Sequence, residues 1–103
     1  MRTILISGAS RGIGLNIAHR ELEAGNRISI GLRDLESVTG SVIDPNNWPN
    51  EKILLNKYDA LDKLSAKKWI ENTVSKFGGF DTLINCSGVL SNCLLYTSDA
   101  ADE

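Results

Sequence analysis

Several residue types are scarce in this chain of 103 residues, which has one histidine, two cysteines, two prolines and one methionine. With His19 as the single imidazole, and with Cys86 and Cys93 at neither metal-site nor Cys-x-x-Cys spacing, no metal centre is expected, and two reduced thiols fit a reducing compartment. Charge of one sign is lacking as well. A net charge of −2 provides no basic field to attract nucleic acid or an anionic membrane surface. The apolar runs are a few residues each, far below the roughly 20 that a membrane-spanning helix needs. At the N-terminus, Gly8 arrives before a signal-peptide apolar core can form, so a cytoplasmic location is the expectation.

What is present is an ordinary globular composition, 42% hydrophobic and 23% charged, at a length that suits one domain. Four short apolar runs alternate with helical patterns, the signature of β-α-β units around a parallel sheet. Thr3 to Ser7 is almost continuously apolar, as suits a strand covered on both faces. A helix is predicted from Gly12 to Ala24, with Leu15, Ala18 and Leu22 on one face and Gly25 as its stop. The second strand is Ile28 to Leu32, and Leu35 to Val42 has the pattern of a short helix. Two prolines and three asparagines between Asp44 and Asn50 predict a loop, with Trp48 pinning it to the sheet edge. Ile53 to Tyr58 is the third strand. Ala66, Trp69, Ile70, Thr73, Val74 and Phe77 then keep helical spacing and predict one broad buried stripe, ended by Gly78 and Gly79. Thr82 to Cys86 is the fourth strand. The expected fold is α/β: the N-terminal half of a Rossmann-type, doubly wound parallel sheet in strand order 3-2-1-4.

The first strand runs into Ser7-Gly8-Ala9-Ser10-Arg11-Gly12-Ile13-Gly14. A diphosphate needs backbone N–H donors at close range and a helix N-terminus aimed at it, and side chains in the turn would block that approach. Three glycines alone fit any flexible turn; their position between a buried strand and an amphipathic helix favours phosphate binding.

The Gly-x-x-x-Gly-x-Gly spacing of Gly8, Gly12 and Gly14 resembles the fingerprint of the short-chain dehydrogenase/reductase family. The segment Asn85-Cys86-Ser87-Gly88 resembles that family's Asn-Asn-Ala-Gly motif, with cysteine and serine replacing its second asparagine and its alanine. Together the two motifs cover Met1 to about Asn92. The resemblance implies a nicotinamide cofactor bound by Gly8, Ser10, Arg11, Gly12, Ile13 and Gly14, with the glycines at its diphosphate. It also implies that Asp59 meets the adenine amino group, and that Asn85, Ser87 and Gly88 line the ribose and diphosphate.

The end of the second strand is where an acid would select NAD through the ribose 2′-hydroxyl. Leu32 aligns there and Arg33 follows. A guanidinium suits the 2′-phosphate of NADP, with Arg11 flanking it, so NADP is expected over NAD. Both arginines can equally be solvated surface residues, and Asp34 is a ribose ligand if the register shifts by two.

The activity implied is hydride transfer between the cofactor and a small-molecule carbonyl or alcohol, in a full-length protein expected to be a homo-oligomer with neither a nucleic-acid nor a membrane partner. The family's serine and Tyr-x-x-x-Lys residues lie beyond the second motif. Here Asp62 and Ala100 stand four positions after Tyr58 and Tyr96, so no catalytic residue is assigned and this chain is expected to be inactive. A cofactor-binding regulatory protein on the same fold is the alternative. His19 has no partner placed for catalysis and reads as part of a solvated helix face, and Cys86 as a buried strand residue.

Residues 93–103 resemble the translation of a transposon-end sequencing adapter. The expected domains are therefore a partial nucleotide-binding domain at 1–92 and a non-native tail at 93–103. The alternative is a genuine helix start with Thr97 or Ser98 as N-cap. A half sheet is further expected to leave the outer edge of the fourth strand open, and the chain little stable.

Overall fold

The computed structural model describes residues 1–9 and 12–86 and the backbone of Cys93–Thr97. Its strands are β1 (Thr3–Ser7), β2 (Arg27–Leu32), β3 (Ile53–Lys57), β4 (Thr82–Cys86) and β5 (Cys93–Thr97), and its helices α1 (Gly12–Glu23) and α2 (Lys63–Phe77). The sheet order is β3-β2-β1-β4-β5. The first four strands pair in parallel, with Ser7 level with both Gly31 and Asn85, as the alternation of apolar runs and helices predicts.

Parallel neighbours need crossovers, and each crossover helix covers one sheet face. On the α1 face, Ile4, Ile6, Ile28, Ile30 and Leu32 form the main core with Ala18 and Leu22. Gly25, at φ +90°, ends α1: its N–H donates to the Leu22 carbonyl and the Asn26 N–H to that of Glu21, the paired bonds of a left-handed helix stop. On the other face α2 starts at Asp62, whose carboxylate accepts the Leu64 N–H at 3.0 Å. It settles over β2 through a buried polar triad. The Trp69 indole N–H donates to Ser29 Oγ at 2.9 Å, and that hydroxyl lies 2.6 Å from Thr73 Oγ1. Gly31 makes room for this ring, because a Cβ there would stand 3.0 Å from two of its carbons.

Five expectations need correction. Of the stripe on α2 only Trp69 and Thr73 are buried; Ile70 and Val74 are 38% and 43% exposed, because the helix contacts β2 and β3 and leaves its far flank uncovered. The stretch expected as a short helix at Leu35 to Val42 and a polar loop from Asp44 to Asn50 is more tightly built than that. It forms 3-10 turns at Leu35–Val38 and Pro45–Asn47, and Val38 and Ile43 are fully buried in the main core. Trp48 does pack against that core, and its ring meets His19 edge-on at 6.1 Å, so His19 is half-buried rather than solvated. Finally, the outer edge of β4 is not open. Cys93–Thr97 pairs with it antiparallel, so Thr97 lies in a strand, while Ser98 falls outside the described residues. This register brings position 93 opposite Cys86, which is buried as expected but disulfide-bonded instead of reduced.

Candidate functional site

The parallel register puts the C-terminal ends of β1 to β4 along one edge, and the segments leaving them carry the residues singled out above. At the centre is the turn after β1. Gly8 has φ +74°, and its N–H donates to the Gly31 carbonyl of β2 at 3.3 Å. A Cβ on Gly8 would come within 2.4 Å of the Cys86 carbonyl oxygen of β4. The turn is therefore wedged between the ends of two strands, and the need for glycine here is set by β4 as well as by the turn itself. Gly14, in the first turn of α1, has its own restriction: a Cβ would meet the Gly8 carbonyl oxygen at 2.7 Å. Helix and turn are in backbone contact.

The first N–H groups of a helix have no partner within the helix, and the helix dipole makes that end electropositive. The first turn of α1 contains no acidic residue to neutralise it. Ile13, in that turn, is 47% exposed. This cradle of backbone donors, free of side chains at Gly8, Gly12 and Gly14, suits a phosphate group. Ser10 and Arg11 lie outside the described residues, as do Ser87 and Gly88.

Beside the turn, Ser7 Oγ donates to Asn85 Oδ1 at 2.6 Å, a cross-strand link between β1 and β4 that needs the hydroxyl. Asn85 is exposed, and its amide nitrogen makes no hydrogen bond among the described residues. At the end of β2, the side chain of Leu32 is buried and its carbonyl accepts the Tyr58 N–H at 2.8 Å. Arg33 is exposed, and its guanidinium has no hydrogen bond or ion pair among the described residues. Asp34 Oδ1 accepts the Glu36 N–H at 3.0 Å as the cap of Leu35–Val38. After β3, Asp59 Oδ1 accepts the Leu61 N–H at 2.9 Å, so it serves as a turn residue with its second oxygen still available.

Two features of this edge are not among the expectations drawn above. The cap at Asp34 is legible in principle, since an aspartate before a short helical pattern is an N-cap signal. The contact of Gly8 with Cys86 is not, because the two residues are far apart in the chain and no local pattern links them.

A glycine turn and a helix N-terminus at the C-terminal ends of parallel strands, where β1 is flanked by β2 on one side and β4 on the other, define a nucleotide-binding α/β protein. The sequence profile of the short chain dehydrogenase family matches residues 2–102, and the chain belongs to this family. It is 41% identical over 85 residues to an agropine synthesis reductase of Rhizobium rhizogenes, covering 82% of this chain and 19% of that protein. It is 32% identical over 93 residues to the 2-(R)-hydroxypropyl-CoM dehydrogenase of Xanthobacter autotrophicus, covering 88% of this chain and 36% of that one. Among solved structures, a short chain dehydrogenase from Bacillus anthracis superposes with a TM-score of 0.74 at 30% identity, over 84% of this chain and 34% of that chain. The chain thus spans well under half the length of the relatives it matches.

Proposed function

We propose that this chain is the dinucleotide-binding part of a nicotinamide-dependent oxidoreductase that prefers NADP and acts on a small carbonyl or alcohol substrate. The observation that carries the reading is the glycine turn, closed against both the β4 backbone and the first turn of α1 and free of side chains where a diphosphate would sit. That relatives are named as a reductase and a dehydrogenase supports oxidoreduction. Gly8, Gly12 and Gly14 would hold the diphosphate, with Ser10, Arg11 and Ile13 of the same turn also binding the cofactor. Asp59 would meet the adenine, and Asn85, Ser87 and Gly88 the ribose and diphosphate from the β4 side. The cofactor supplies or accepts the hydride; what this chain contributes is its grip and orientation.

The NADP preference rests on the contrast at the end of β2. Leu32 is buried and Asp34 serves as a cap, which leaves Arg33 as the exposed charged group there without a partner among the described residues. In the full-length protein, with Arg11 beside it, Arg33 would grip the 2′-phosphate. Arg33→Ala is therefore expected to weaken NADPH by roughly 10- to 150-fold while leaving NADH nearly unchanged. Equal losses for the two cofactors in a fluorescence titration would reduce Arg33 to a surface residue.

Residues 1–92 form the partial domain, and residues 93–103 are a non-native tail. With Asp62 and Ala100 four positions after its tyrosines, the chain has no Tyr-x-x-x-Lys pair and by itself turns over no substrate. NADPH oxidation against a panel of carbonyl compounds, measured for this chain and for the longer gene product recovered from the source DNA, tests both statements. Turnover by the short chain would refute the second. A source gene that encodes residues 93–103 as they stand here would refute the first, and a full-length protein that lacks Tyr-x-x-x-Lys and oxidises no NADPH would refute the oxidoreductase reading. The full-length protein is taken to be a cytoplasmic homo-oligomer, which size-exclusion chromatography checks for the assembly.

A further inference from the structure

We propose that Asp34 is a positioning residue for nucleotide discrimination, holding the main chain from which Arg33 extends. This rests on the reading of Arg33 given above. Arg33 lies between two fixed points. On one side, Leu32 is buried in the core at 3% exposure and its carbonyl is bonded to the Tyr58 N–H. On the other, Asp34 makes three bonds to the turn that follows. Its Oδ1 accepts the Glu36 N–H at 3.0 Å, and its carbonyl accepts the Ser37 N–H at 3.1 Å and the Ser37 hydroxyl at 2.6 Å. That turn is itself anchored, because Val38 at its end is 1% exposed within the core. The backbone of Arg33 is thus clamped from both sides, and the freedom left is that of its side chain.

An acid this close to the end of β2 would otherwise be a candidate for the ribose hydroxyls. Its Oδ1 is committed to the Glu36 N–H, which fixes the carboxylate against the turn that follows, and losing such a cap is equivalent to roughly a two- to thirtyfold change in an equilibrium. The same acid therefore works for the arginine beside it, by geometry. Its negative charge lies near the position assigned to the 2′-phosphate and works against binding there, so its presence points to the cap as its role.

The test is isothermal titration of the 103-residue chain with 2′,5′-ADP and 5′-ADP. The quantity read is the ratio of the two affinities, which a loss of global stability alone does not move. Asp34→Ala is expected to lower this ratio roughly two- to thirtyfold with the 5′-ADP affinity unchanged. Asp34→Asn keeps an oxygen for the Glu36 N–H and removes the charge, so its ratio should equal or exceed that of the original chain. If Asp34→Ala keeps the ratio while Arg33→Ala lowers it, positioning by Asp34 is refuted and the reading of Arg33 survives. If Arg33→Ala leaves the ratio unchanged, that reading fails and this inference with it. If both Asp34 variants raise the ratio by weakening 5′-ADP, the carboxylate is a ribose ligand and the inference is wrong. Should Asp34→Ala not fold, Ser37→Ala removes only the hydroxyl bond to the Asp34 carbonyl. It is expected to lower the ratio in the same direction, and no change there counts against the inference.

Discussion

Three glycines separate two costs that are usually mixed, and alanine at each is expected to give a graded loss of stability. Gly25 has φ +90° and no atom within 4 Å of where a methyl group would stand, so alanine there meets backbone strain alone. That strain is about 1–2 kcal/mol, offset by about 0.4–1 kcal/mol from the reduced freedom of the unfolded chain. Gly31 has no positive φ, but its Cβ would lie 2.9 Å from Tyr58 Cβ and 3.0 Å from the Trp69 ring. Alanine there must push the ring off Ser29, an overpacking cost of about 1–3 kcal/mol. Gly8 suffers both, with φ +74° and a Cβ 2.4 Å from the Cys86 carbonyl oxygen. A carbonyl within a sheet cannot swing aside as a side-chain tip can, so Gly8→Ala should cost about 2–5 kcal/mol. For a domain whose whole stability is about 5–15 kcal/mol, that is a large share. Urea unfolding followed by tryptophan fluorescence ranks the three variants. If Gly8→Ala proves no worse than Gly25→Ala, the end of β4 yields freely and the wedged turn described above is not rigid.

Asp44 provides a pH test. The backbone N–H groups of Gly40 and Asn46 hold its carboxyl below the ordinary value of 3.8, so the stability it contributes is complete above 3.8 and is lost as pH falls through its lower folded value. The gap in Tm between the original chain and Asp44→Ala should accordingly stay constant at neutral and mildly acidic pH and shrink below 3.8; a gap that widens in acid would contradict this. Trp69→Phe removes the indole donor to Ser29 while the Ser29–Thr73 bond remains, and urea unfolding should show a loss of about 1 kcal/mol, with little change arguing against the triad. Ser7→Ala leaves Asn85 without its cross-strand donor, so hydrogen exchange at the end of β4 should quicken while that of α1 does not.

The order of the first four strands was legible because each is a short apolar run, and the alternation with helices leaves few topologies. Helix ends were legible where glycine carries the geometry, as at Gly25 and Gly78. The glycine turn was legible as the turn between β1 and α1, but its tightest contact, between Gly8 and the Cys86 carbonyl, was not, since it depends on where β4 ends in space. The role of Val38 and Ile43 was hidden for a different reason. Isolated apolar residues among prolines, asparagines and serines show no period, yet they fill the core beside Trp48. On α2 the periodicity suggested more burial than there is, because spacing identifies the apolar face of a helix and not how far the neighbouring layer extends over it.

Because β1 lies between β2 and β4, the strand synthesised first is among the last to be completed. The Thr3 N–H is held by the Asp81 carboxylate and the Ser7 hydroxyl by Asn85, each 78 residues further along the chain. During synthesis β1 can pair with β2 as soon as Leu32 is available, but its other edge has no partner in this fold until Thr82 to Cys86 emerges. Over that interval a row of unpaired N–H and C=O groups flanks Ile4, Leu5 and Ile6, an edge open to other chains. Folding of this unit therefore waits on a contact that spans most of its length. Such long-range closure is slow.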